Sequence, residues 1–178
     1  MSVRGHCILS HGFESGPAAT KVAALAEVAR RMGWSEERPD YTDLDARTDV
    51  SSLGDVHARV ERLHALAVEA AHRRPLVLAG SSLGAWISGQ VSLRVPVRAL
   101  FLMAPPTRMG DAPPLQAADV PVSIVHGWHD ELIQAMTVVE WARARSATLL
   151  MVDDEHRLAD HVDASAQAFG RLLDSLAR

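Results

Sequence analysis

Leu76-Val77-Leu78-Ala79-Gly80-Ser81-Ser82-Leu83-Gly84 is a short apolar run that ends in the pattern Gly-x-Ser-x-Gly. The run reads as a strand, and the pentapeptide after it as a sharp strand-to-helix turn with a serine at its apex. A side chain fits at that apex only when the residues two positions away on either side lack side chains. Gly80 and Gly84 meet the demand, and the Ser82 hydroxyl then points out at the end of a sheet. Two other readings use the same residues. Ser81 or Ser82 can serve as an ordinary helix cap, and Ser81 is the competing nucleophile, although it is not central in the pattern.

Outward from this stretch, short apolar runs alternate with amphipathic segments. Cys7-Ile8-Leu9, 97–103, 122–125 and 148–152 are leucine-rich or β-branched without polar alternation, as expected for strands covered on both faces. A weaker strand is expected over 35–41. Val22, Leu25, Ala26 and Ala29 share one face of a helix over about 17–32, and Gly33 stands just past its end. Val56, Val60, Leu63, Ala67 and Ala70 form a second stripe; Leu132, Met136 and Val139 form a third. Val162, Ala166, Phe169, Leu173 and Leu176 form the last. Alternating strands and helices predict an α/β fold: a three-layer α/β/α sandwich around a mainly parallel sheet of about six strands. No repeat or linker divides the chain, so residues 1–178 are expected to form one domain. The Pro/Gly-rich stretch 104–116 is too short for a lid domain and is expected to be a loop bordering the active site.

Composition narrows the class. Hydrophobic residues make up 48% and charged residues 22%, which excludes disorder and fibre. A net charge of −4 leaves no electrostatic footprint for nucleic acid. The first residues lack the apolar core of a secretion signal and no run approaches a membrane span, so a cytoplasmic chain is expected, with neither nucleic acid nor membrane as partner. Cys7 is the single cysteine and lies within a predicted strand, which favours a buried, inert thiol.

Functional groups in an open parallel sheet gather at the carboxyl ends of the strands. Four candidates follow predicted strands here: the loop Ser10-His11-Gly12-Phe13, then Ser82, Asp130 and His156. Asp130 has rivals in Glu131, Asp119, Asp153 and Asp154, and it can also be a plain N-cap. Nine histidines compete for the base. His57, His64 and His72 fall on a helix far from strand ends, and His161 lies in the last helical region. His126 is placed to support Asp130, and His129 reads as a surface residue. No His-x-x-x-His pair joins a Glu in the manner of a zinc peptidase helix, so no metal is expected.

With these residues in place, the chain resembles the α/β-hydrolase superfamily, from the His11-Gly12 turn to the last helix, as a small, lidless, serine-esterase-like member. The resemblance implies a nucleophile Ser82, a base His156 and an orienting Asp130, with the backbone N–H groups of Phe13 and Leu83 as oxyanion donors. It also implies that the first strands of larger relatives are absent. Each role has a physical reason. A serine hydroxyl needs a base during attack, imidazole titrates near neutrality, and a carboxylate fixes its tautomer. His11, Gly12 and Trp128 are the substrate-contact candidates: His11 steadies the oxyanion loop, Gly12 permits close approach, and Trp128 borders the pocket. Glu14 is expected to turn outward or to pair with a cation such as Lys21. Trp86 is expected to pack the central helix.

The implied activity is hydrolysis of a short or medium acyl ester, or thioester, of a small molecule, with no cofactor; the oligomeric state stays open. The alternative is a silent binding or regulatory protein on the same fold. A complete Ser-Asp-His set argues against that alternative. A hydrolase using Cys7 fails on position.

Overall fold

The computed structural model describes residues 3–177. Its centre is a six-stranded sheet of β1 (His6–Ser10), β2 (Ser35–Glu37), β3 (Leu76–Ser81), β4 (Ala99–Met103), β5 (Val122–Gly127) and β6 (Thr148–Val152). The order is β2-β1-β3-β4-β5-β6, and every neighbouring pair is parallel. Helices α1 (Thr20–Arg31), α2 (Thr42–Asp45), α3 (Val56–Arg73), α4 (Leu83–Ser92), α5 (Ala135–Ala144) and α6 (Val162–Ser175) flank it.

Side-chain alternation along each strand sorts the core into two layers. Cys7, Leu9, Val77, Ala79, Phe101, Met103 and Val125 pack toward α1 and α6. Ile8, Leu76, Leu78, Leu100, Leu102 and Ile124 pack toward α3, α4 and α5. Both faces are covered, which is why the central strands are apolar at every position. Phe101 and Phe169 fix the α6 side with ring centroids 5.1 Å apart. Helix α4 lies inside the molecule and buries most of its surface, including Trp86, so it carries no polar stripe.

Several elements differ from the sequence expectation. Strand β2 stops at Glu37 because Pro39 lacks an N–H and restricts Arg38, ending the ladder. Tyr41 instead turns inward, fully buried, with its hydroxyl 3.0 Å from Ser10 Oγ. Leu132 and Met136 are 68% and 56% exposed, while Val138 and Ala142 form the buried face of α5. Asp130 captures the N–H groups of Leu132 and Ile133, so 130–133 is a turn and the helix starts later, in a different register. The stretch 104–116 lies against α4 and α5, where the Pro113 and Leu115 carbonyls accept from the indoles of Trp86 and Trp141. Among the described residues, no helix is long and apolar enough to cross a membrane.

Candidate active site

Ser82 sits between β3 and α4 with φ 52° and ψ −117°. A non-glycine residue there stores roughly 1–3 kcal/mol of strain, held by the packing around it. The glycines are a steric necessity. A Cβ on Gly80 would collide with the Gly84 carbonyl, and one on Gly84 with the Ser10 carbonyl. The turn is pinned from β4 by Ser82 N–H donating to Met103 O at 2.8 Å.

His156 arrives on the loop after β6, and its Nε2 lies 2.9 Å from Ser82 Oγ. Its Nδ1 lies 2.7 Å from Asp130 Oδ2, whose side chain has no solvent exposure. An ionised carboxylate only accepts, so Nδ1 carries the proton and Nε2 is free to accept from the serine hydroxyl. The other Asp130 oxygen accepts from Leu132 N–H at 2.9 Å and Ile133 N–H at 2.7 Å. Burial pushes the Asp130 carboxyl up, but the bonds from His156, Ile133 and Leu132 outweigh it and hold the group below its ordinary value. Fully buried His126 closes the same turn by donating from Nε2 to Ile133 O at 3.0 Å. Burial lowers its pKa, which suits a neutral ring.

The candidate oxyanion donors come from the loop after β1, which carries Phe13, and from the start of α4, where Leu83 lies. Neither Phe13 N–H nor Leu83 N–H donates to a protein acceptor among the described residues. His11 is fully buried, and its Nε2 accepts from Tyr41 N–H at 3.0 Å. The proton therefore sits on Nδ1, which donates to Gly12 O at 2.7 Å. Burial depresses its pKa. His11 thus acts as a strut for the loop. Gly12 lies over the nucleophile, where an added Cβ would stand 3.6 Å from Ser82 Cβ.

Arg59 and Asp45 hold the loop after β1 from behind. Arg59 was not singled out from the sequence, and Asp45, which reads there as part of a solvated charged loop with Asp43, Arg47 and Asp49, is buried. Arg59 is fully buried on α3. Its Nε and one terminal nitrogen each lie 2.7 Å from an Asp45 oxygen. Its remaining donors reach His11 O at 3.0 Å and Gly12 O at 3.1 Å, and Asp45 Oδ2 accepts from Glu14 N–H at 3.1 Å. The guanidinium also lies over the Tyr41 ring, 4.5 Å from its centroid. One signal was available: Arg59, Leu63 and Ala67 recur at four-residue spacing, which places a charge in the apolar stripe of α3. Its partner on the acidic loop is a tertiary fact.

A cleft of about 640 Å³ opens over Ser82 and His156. Its walls come from 11–15, the start of α1, and the loop bearing His156, with Leu132 at one side. Neither the stretch 104–116 nor Trp128 lines it, contrary to expectation. Trp128 is 51% exposed and its N–H is held by Val152 O at the β5–β6 side of the rim. Glu14 is exposed, with φ 54°, and forms no ion pair with Lys21.

Three of the rival carboxylates are taken up by donors other than the His156 ring, and Asp119 is exposed. Glu131 accepts from the His156 backbone N–H, Asp153 pairs with exposed His129, and Asp154 accepts from His161 Nδ1. Cys7 is buried within β1, and burial pushes its thiol pKa up, away from thiolate chemistry. Among the described residues no group of three or more His, Cys, Asp or Glu side chains is arranged to hold a metal.

Known structures of the same shape agree with this architecture. A crystal structure from Xanthomonas campestris pv. campestris, described as a candidate hydrolase of the alpha/beta superfamily, is 65% identical. It covers 97% of this chain and 99% of its own, with a TM-score of 0.96. Est1E from Butyrivibrio proteoclasticus matches at TM-score 0.78 and 18% identity, over 97% of this chain and 88% of its own. A lidless a/b serine hydrolase from Xanthomonas campestris matches at 0.72 and 19%, over 98% and 83%. No protein-family model and no curated protein sequence matches the chain. At 65% identity over nearly the whole of both chains, with the same parallel sheet, the protein belongs to the α/β-hydrolase superfamily.

Proposed function

We propose that the protein is a serine hydrolase that cleaves a short or medium acyl ester, or thioester, of a small molecule through an acyl-enzyme on Ser82. One observation carries the reading: a continuous hydrogen-bonded line from Ser82 Oγ through both His156 nitrogens to buried Asp130. In this scheme His156 Nε2 takes the Ser82 proton as Oγ attacks the carbonyl carbon. The tetrahedral oxyanion accepts from Phe13 and Leu83 N–H, each donor contributing roughly 3 kcal/mol to the barrier reduction. Collapse breaks the bond to the leaving alcohol or thiol, which receives the proton from His156. Water then loses a proton to Nε2, attacks the acyl carbon, and releases the acid while Ser82 regains its hydrogen.

Loop length supports the chain-length part of the reading: the stretch 104–116 packs against α4 and α5 and does not line the cleft. The test is a panel of acyl lengths and leaving groups on wild type and Ser82→Ala. We expect the best rates at short to medium acyl chains and a loss of at least about 10³-fold in Ser82→Ala. A Ser82→Ala enzyme with wild-type rates would remove the mechanism.

A further inference from the structure

The chain contains 18 Lys and Arg residues, of which Lys21 is the one lysine. That residue lines the cleft over Ser82, together with Arg157. Arg30, Arg47, Arg59, Arg62, Arg73 and Arg94 each lie within 4.0 Å of a carboxylate. Lys21 and Arg157 have no such partner among the described residues, and neither do Arg4, Arg31, Arg74, Arg98, Arg108, Arg143 and Arg145; what sets Lys21 and Arg157 apart is their place in the cleft over Ser82. The Lys21 ammonium donates to the backbone carbonyl of Arg157, the residue after the candidate base. An ammonium has three donors, so this leaves two. Two carboxylates are near enough to be felt, Asp154 and Asp130, yet both are taken up by other donors. Asp130 holds His156, Leu132 and Ile133; Asp154 holds His161 and the N–H groups of Glu155 and Asp160. The first turn of α1 carries no acidic residue. Glu14, the one acid lining the cleft, is exposed on the oxyanion-loop side and faces solvent.

We infer that Lys21, assisted by Arg157, binds an anionic group, a carboxylate in its simplest form, on the substrate that Ser82 attacks. The inference rests on the serine-hydrolase reading and adds a substrate class to it. A half-buried cation with no carboxylate in ion-pair contact carries a desolvation cost that Asp154 and Asp130 offset only from a distance, and a ligand carboxylate adds the direct acceptor. Lysine suits this position because its compact charge and rotating donors follow a carboxylate whose position shifts along the reaction, whereas Arg demands a fixed fork. Burial lowers the Lys21 pKa in the free protein, and an adjacent anion reverses that shift.

Binding and turnover are measured separately. In Ser82→Ala protein, calorimetry compares the 4-nitrophenyl half-ester of adipic acid with its methyl-capped, uncharged counterpart, and 4-acetoxybenzoate with its methyl ester. The pairs put the charge on the acyl and leaving-group sides respectively. We expect tighter binding of the anionic member in at least one pair, on the order of tenfold. That preference shrinks toward parity with Lys21→Met and survives in Lys21→Arg. Lys21→Gln and Arg157→Gln give the same comparison if the Met variant does not fold. With Ser82 intact, the anionic-to-neutral ratio of kcat/KM follows the same order. Equal binding within both pairs overturns the inference, as does a Lys21→Met change that slows both members alike, since that marks a tether for the His156 loop. Loss of turnover with the binding preference intact contradicts the hydrolase reading and leaves the anion site standing.

Discussion

At Asp130 two bonding demands act on one carboxylate. Oδ1 must accept from the Leu132 and Ile133 amides, and Oδ2 faces the His156 ring. In Asp130→Asn the amides keep the side-chain oxygen, so the NH₂ group turns toward His156. The ring then carries its proton on Nε2 and cannot accept from Ser82. We expect kcat to fall on the order of 10⁴-fold with the fold intact, checked by steady-state kinetics beside circular dichroism. The same group sets a pH dependence. Its folded pKa lies below the ordinary value of about 3.9, so its contribution to stability is complete at neutral pH and disappears as pH falls through the folded pKa. The gap in thermal midpoint between wild type and Asp130→Asn should close as pH falls below about 4. Ser82, Asp130 and His156 were legible from the sequence because each follows a predicted strand directly. Trp128 follows a strand too, but the Val152 contact of its backbone holds it outside the cleft. No local pattern reveals that direction.

Among the elements, α3 does most to shape the site without touching it. Arg59 presents four donors to Asp45, His11 and Gly12 from the centre of an otherwise apolar stripe. Removing one partner of a fully buried pair leaves the other charge stranded, at about 3–5 kcal/mol. Arg59→Met should therefore lower the unfolding free energy measured by urea titration by that much and also reduce kcat, because the carbonyls of residues 11 and 12 lose their anchor. Arg59→Lys should recover little of either, since a point charge cannot reproduce the fork. A variant with wild-type kcat would separate α3 from the oxyanion loop. The sequence showed the helix and the stripe; it hid the pair, because a buried charge and its partner are joined only by tertiary structure. The register of α5 was hidden for a similar reason. The Asp130 side chain delays its start, and periodicity alone does not register a turn made by a carboxylate.

Over the whole molecule, the parallel sheet brings the ends of β1, β3, β5 and β6 to one rim, where residues far apart in sequence converge on the cleft. Its architecture was the most legible feature, since strands buried on both faces leave continuous apolar runs that helices must separate. The exterior was less so: 104–116 carries the composition of a rim loop but is anchored by Trp86 and Trp141 away from the cleft. The proposed reaction depends on the Ser82 hydroxyl forming a covalent bond to the acyl group. Intact-mass spectrometry after rapid acid quench, on enzyme mixed with excess 4-nitrophenyl acetate, tests that bond most directly. The account predicts one acetyl adduct, mapped by peptide digestion to Ser82 and absent from Ser82→Ala. An adduct on another residue, or turnover through an acyl-enzyme in Ser82→Ala, would contradict it.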